Sequence, residues 1–149
     1  MSGGGVAPIL EPTPTSRKGL QRVCLRCMHY TRIYADSQGE SHFEDCDIEV
    51  HEVVHAPPAP PFFVSQPSGA TAVAWTTIPK GWFGDWHPTP RLQWWFQLAG
   101  EIEVVVSDGN ARRFVAGSVV RVEDTTGRGH TTRVISHEDV RAVYAHIPG

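Results

Sequence analysis

Side chains able to move a proton or hold a ligand gather in one stretch, Gly81 to Asp124 (GWFGDWHPTPRLQWWFQLAGEIEVVVSDGNARRFVAGSVVRVED). His87, Arg91, Gln93 and Gln97 fall there on a single alternation, and His130 follows a short loop beyond the end. Imidazole is the side chain that titrates near neutral pH and shuttles protons there. A guanidinium does not discharge, so out of water it needs either Glu123 or Asp124 or an incoming carboxylate or phosphate. Carboxamides orient a ligand through neutral hydrogen bonds. All of this chemistry needs an enclosed face.

Reading by twos from His87 gives Thr89, Arg91, Gln93, Trp95 and Gln97 on one face, and Leu92, Trp94, Phe96 and Leu98 on the other. Alternation alone places the apolar side in the core and the polar side in water. Next, Glu101 and Glu103 alternate with Ile102, Val104 and Val106, the pattern of an antiparallel strand with one wet side. Ser107-Asp108-Gly109-Asn110 turns that strand into its return, Ala111 to Val115. Tyr30 to Tyr34, Ser41 to Val54, Phe62 to Ser65, Thr71 to Ile78, His130 to Ile135 and Val140 to Ile147 read as further strands. The run Ala56 to Pro61 lacks the N–H groups a ladder needs and reads as an extended surface connector. With no helical periodicity and a turn signal between each pair of strands, the chain reads as an all-β sandwich or barrel.

At 149 residues and a formal charge of −3, the chain is expected to be one soluble domain. Lys and Arg are dispersed, which argues against nucleic acid or a membrane surface as partner. No apolar run approaches the roughly 20 residues of a membrane span. Residues 1–28 read as a disordered tail, rich in Gly, Pro, Ser and Thr, ahead of a domain over 29–149. The tail has no secretory signal, so the expected location is cytoplasmic, with an organelle transit peptide as the alternative. Cys24, Cys27 and Cys46 make an odd count that suits a reducing compartment. The Cys24-x-x-Cys27 pair reads as incidental thiols, with a zinc half-site or a redox pair as the alternatives.

The spacing of the central stretch resembles the cupin superfamily. That family's first motif is a Gly, two His one residue apart, an acid, and then a Gly opening a hairpin; this chain has His87, Thr89, Gln93 and Gly100. The second motif looks like Val115-Ala116-Gly117, in place of Pro-x-Gly, followed by a strand and Gly127-Arg128-Gly129-His130. The likeness covers about residues 70 to 147. It extends to a group of small stand-alone cupins that read roughly Trp-His-Pro, an Arg and a Gln, then Glu-Asp-Thr-Thr-Gly before Gly-His.

This resemblance implies a double-stranded β-helix, the cupin-type jelly-roll barrel, with the His87, Thr89 and Gln93 face turned inward. His87 and His130 then become the proton-transfer candidates and Arg91 the holder of a negative group. Gln93, Gln97, Trp82, Trp86, Trp95 and Thr125 become substrate contacts. Trp82, Phe83 and Trp86 either stack on a planar ligand or plug the barrel end, and the Thr125 loop either reaches the ligand or is turn chemistry. Thr89 and Gln93 stand where the family has a second His and a carboxylate. His87, Gln93 and His130 are thus the only candidate ligands for a divalent metal (Fe, Mn, Zn or Ni), and a weak set. The implied function is an isomerase, dehydratase or lyase acting on a small anionic organic molecule; the alternatives are a non-catalytic binding or sensing cupin and an Fe- or Mn-dependent dioxygenase. An inward polar face also turns Leu92, Trp94, Phe96 and Leu98 outward, where the N-terminal segment or a second subunit must cover them, which implies a homodimer. His29, His42, His51, His55, His137 and His146 have no matching partners at ligand spacing and read as surface or core histidines.

Overall fold

The computed structural model describes residues 26–149, so most of the expected tail, Cys24 included, lies outside the described residues. All regular structure in the described part is strand. β1 (Met28–Ala35) and β2 (Ser41–Ile48) form a hairpin around the Asp36–Gly39 turn, and the short β3 (His51–Val53) pairs with β4 (Phe62–Val64) across the exposed proline connector. The single strand expected over Ser41 to Val54 is therefore broken in two after Ile48, and its second part joins a separate two-stranded sheet.

Then come β5 (Ala72–Ile78), β6 (Phe83–His87), β7 (Gln93–Ala99), β8 (Ile102–Val106), β9 (Ala111–Phe114), β10 (Val119–Val122), β11 (His130–Val134) and β12 (Val140–His146). One sheet has the order β2-β1-β10-β7-β12-β5 and the other β6-β11-β8-β9. Within the last eight strands, the first pairs with the eighth and the second with the seventh, which is the connectivity of a jelly roll. That is the double-stranded β-helix the resemblance implied. The N-terminal hairpin extends the larger sheet through a parallel pairing of β1 with β10. Among the described residues no helix is long and apolar enough to cross a membrane.

The core is filled from both sheets by Ile102, Val104, Val106, Phe114 and Val134 on one side and Ile33, Val120, Val122 and Val140 on the other. Register settles which side of β7 joins it. Trp95 lies opposite Val120, which is buried, and packs against the core, whereas Phe96 lies opposite Val119 on the outer surface. Gln93, Trp95 and Gln97 consequently point inward, the reverse of what alternation alone suggests. Outside, the ring of Trp94 meets Tyr30 edge-on at 5.0 Å and lies 5.5 Å from the Arg121 guanidinium, so β1 and β10 cover part of that face. Leu98 remains exposed.

Two further expectations change. The alternation from His87 does not run on into β7: Pro88 and Pro90 cannot donate to a ladder, and the chain leaves the sheet between His87 and Gln93. Cys27 is disulfide-bonded, not an incidental thiol, while Cys46 is free.

The hairpin is latched to the barrel by His42, whose Nε2 lies 2.8 Å from Asp36 and whose Nδ1 lies 2.7 Å from Asp108 on the β8–β9 turn. The bonds to Asp36 and then Asp108 hold the imidazole above its usual pKa, and His42 in turn holds Asp36 below the carboxylate range. A histidine raised on folding contributes stability that is complete below the unfolded value, 6.5, and disappears as pH rises through the folded value. A lowered aspartate contributes above its unfolded value, 3.8, and that contribution is lost as pH falls through the folded one. His42→Ala should therefore lower Tm by about 2–4 °C between these two limits, with the gap to wild type closing in alkali. Melting curves across pH check this; a gap that grows above neutrality contradicts it.

Candidate functional site

β6 and β11 run antiparallel with His87 directly opposite His130, so the two side chains share the inner face of the smaller sheet. Their ring centroids are 4.9 Å apart at 53°. His87 donates Nδ1–H to the carbonyl of Asp85 at 2.6 Å, and His130 donates Nδ1–H to Asp124 Oδ2 at 2.7 Å. Since a carbonyl and a carboxylate only accept, each ring places a proton on Nδ1, which in the neutral tautomer leaves Nε2 as the bare nitrogen. Asp124 is fully buried and also accepts the hydroxyl of Ser41 at 3.1 Å.

The approach of these strands depends on one glycine. Gly129, at φ +74°, lies so close to the backbone of His87 that a Cβ there would come within 2.0 Å of the His87 carbonyl oxygen. Only a residue without a side chain lets the loop enter β11 at this point.

Both rings line a cavity of about 160 Å³ between the sheets, together with Gln93, Trp95, Trp82 and Thr132. The remaining wall is Ile33, Ile78, Ile102, Val104, Phe114, Val120 and Val122. No Lys, Arg, Asp or Glu lines it. An apolar void of roughly 150 Å³ holds benzene, which sets the size of the molecule that fits. Trp82 is 40% exposed while lining the cavity, which puts it at the mouth.

The structure thus brings together His87, His130, Gln93, Trp82 and Trp95 of the residues singled out in the sequence. It does not bring Arg91, which is exposed, sits in the proline-broken segment before β7 and is not part of the cavity wall. The acids expected beside it are engaged elsewhere, Glu123 by Arg32 and Arg121, and Asp124 by His130 and Ser41. Gln97 is buried at 1% exposure, but it accepts Trp95 Nε1–H at 2.8 Å and donates to the carbonyls of Ala99 and Gly100 at 3.1 and 3.3 Å. Its amide braces the turn into β8 and does not reach the cavity. Thr89 is buried and donates its hydroxyl to the Arg91 carbonyl at 3.2 Å. Trp86 lies beneath the Arg128 guanidinium at 5.3 Å, partly exposed, and Thr125 is exposed. Asp124 and Thr132 are site residues the sequence reading did not assign. The signal for Asp124 was present, an acid and a His flanking a Gly-Arg-Gly loop.

The wall does not fit a tightly held divalent metal. Two imidazoles and a neutral carboxamide provide no anionic donor, and among the described residues no three of His, Cys, Asp and Glu converge.

No protein-family model matches this chain, and no curated protein matches it. Solved structures similar to it include a cupin 2 conserved barrel domain protein from Salinispora arenicola, 16% identical, covering 95% of this chain and 92% of that one at a TM-score of 0.45. Another is the Schizosaccharomyces pombe Cnp3 cupin domain, 17% identical, covering 83% and 84% at a TM-score of 0.46.

Gly129→Ala should cost about 3 kcal/mol or more, because the added methyl combines a left-handed backbone with a clash against His87. Urea unfolding measures it; a loss under ~1 kcal/mol would show that the two strands do not depend on this contact.

Proposed function

We propose that this cupin-fold chain takes a small, largely apolar, neutral organic molecule into its barrel and uses His130, oriented by Asp124, to remove and return a proton at the molecule's polar end. The observation that carries this reading is an imidazole with Nδ1 tied to a fully buried carboxylate, on the wall of a largely apolar cavity whose other polar side chains are His87, Gln93 and Thr132. The anionic substrate expected from the sequence required Arg91 inside. Without a cation on the wall, a carboxylate would lose its hydration for nothing in return, so a neutral ligand is favoured.

A small carbonyl compound fits this chemistry. Nε2 of His130 takes the proton from the carbon next to the carbonyl, the C–H electron pair forms the enolate, and negative charge passes to oxygen. Asp124 stabilises the imidazolium, and the Gln93 carboxamide on the same wall is the donor available to the oxygen. Where a C=C is conjugated with the enolate, return of the proton to its far carbon gives isomerisation; where the imidazolium first trades its proton with solvent, return to the original carbon gives isotope exchange.

A second reading, a binding or sensing cupin without chemistry, is favoured by the wall being mostly apolar and lacking Lys, Arg, Asp and Glu. Phenol and cyclohexanone separate the two. At tenfold its dissociation constant phenol should raise Tm by about 3–6 °C. Arg91→Ala should leave that shift intact, Val104→Phe should abolish it, and benzoate should give a smaller one. Proton transfer should appear in NMR as deuterium exchange beside the carbonyl of cyclohexanone, lost in His130→Gln. Binding without exchange favours the sensor, and a shift that prefers benzoate and needs Arg91 overturns the neutral pocket.

A homodimer is supported by the outer face of the larger sheet, where Trp75 on β5 is 77% exposed beside Val73 and Leu98 is also uncovered. Sedimentation should give twice the chain mass, shifting toward one chain in Trp75→Glu; a wild-type monomer at every concentration rules the dimer out.

A further inference from the structure

We propose that Ser41, on the N-terminal hairpin and outside the eight strands of the jelly roll, is a positioning residue for His130. The proposal rests on the reading of His130 as the proton-handling group.

Ser41 opens β2 and has no exposed surface. Its hydroxyl donates to Asp124 Oδ2 at 3.1 Å, the same oxygen that accepts His130 Nδ1–H at 2.7 Å, while Asp124 Oδ1 is buried with no hydrogen-bond partner among the described residues. One carboxylate oxygen thus takes both donors and the other takes none. A carboxylate held by His130 alone can turn about its Cβ–Cγ bond and offer either oxygen, and the imidazole follows it. The second donor removes that freedom, so the hydroxyl fixes the ring by fixing its acceptor.

The hydroxyl is itself held from several directions. The Ser41 N–H donates to Ser107 Oγ at 2.7 Å, and its carbonyl accepts from Asp108 N–H at 3.4 Å. The hairpin turn sits directly on the loop that carries Asp124 toward His130: Arg128 N–H donates to the Gly39 carbonyl at 3.2 Å, and a Cβ on Gly127 would lie 2.2 Å from that same oxygen. Arg128 and Glu40 add an ion pair at 4.0 Å. A hairpin needed only to extend the larger sheet has no use for a buried hydroxyl aimed at the carboxylate that holds His130.

The test reads the ring nitrogens of His130 by ¹⁵N NMR in ligand-free protein, so it stands whether or not phenol binds. In wild type the neutral ring should show one protonated nitrogen, Nδ1, and one bare nitrogen, Nε2. In Ser41→Ala the two resonances should move toward each other as the tautomers mix. Ser107→Ala, which removes a different tether of the same residue, should leave them as in wild type. An unchanged His130 in Ser41→Ala overturns the proposal, and so does an equal change in Ser107→Ala, which would mean general loosening. If Ser41→Ala does not fold, wild type decides: the Ser41 hydroxyl proton must appear as a slowly exchanging resonance with cross-relaxation to the His130 Nδ1 proton, and its absence overturns the assignment.

Discussion

The buried carboxylate of Asp124 is the constraint around which the site is arranged. Removing a carboxylate from water costs on the order of several kcal/mol, and the fold must supply donors at fixed points to hold it there. It does so with the imidazole of His130 and the hydroxyl of Ser41, drawn from opposite ends of the chain. Because those donors converge, the loop between β10 and β11, the turn of the N-terminal hairpin and the start of β11 have one arrangement relative to each other. Gly129 and Gly127 are where backbone passes too close for a side chain, and both lie in that loop.

The two sheets divide the work. The larger contributes most of the apolar wall, with Gln93 and Trp95 turned inward from β7; the smaller contributes the paired imidazoles through the register of β6 and β11. The polar row of β7 divides inside: Gln97 has its amide bonds from Trp95, Ala99 and Gly100, while Gln93 is turned to the cavity. Gln97 braces the turn into β8, so the polar side chains left on the cavity wall are the two histidines, Gln93 and Thr132. Low polarity around a hydrogen-bonded imidazole strengthens that bond, which is the ground for proposing His130 as the proton-handling group.

Much of this was legible in the residues. Strand positions followed from alternation and turns, as in Ile102 to Val106 and the Asp108-Gly109 hairpin. The pairing of His87 with His130 came from spacing shared with cupins. Alternation alone inverted β7, because a run of tryptophan, phenylalanine and leucine looks like core whether it faces a barrel interior or the covered outside of a sheet. Arg91 was carried along on the same alternation, although Pro88 and Pro90 already said that the strand must stop between His87 and Gln93. Ser41 and His42 were illegible for a different reason: their partners, Asp124 and Asp108, are 83 and 66 residues away, and nothing local marks a contact made only by tertiary docking.

The central claim, a neutral ligand held inside the barrel with its polar end at His130, is tested most directly by titrating phenol into protein carrying NMR-labelled methyl groups and histidine rings. The account predicts shifts concentrated on Ile33, Ile78, Ile102, Val104, Val120 and Val122, accompanied by a change at His130 Nε2. Silent interior methyls, with changes confined to the exposed Trp86, Arg91 or Trp75 surfaces, would contradict it.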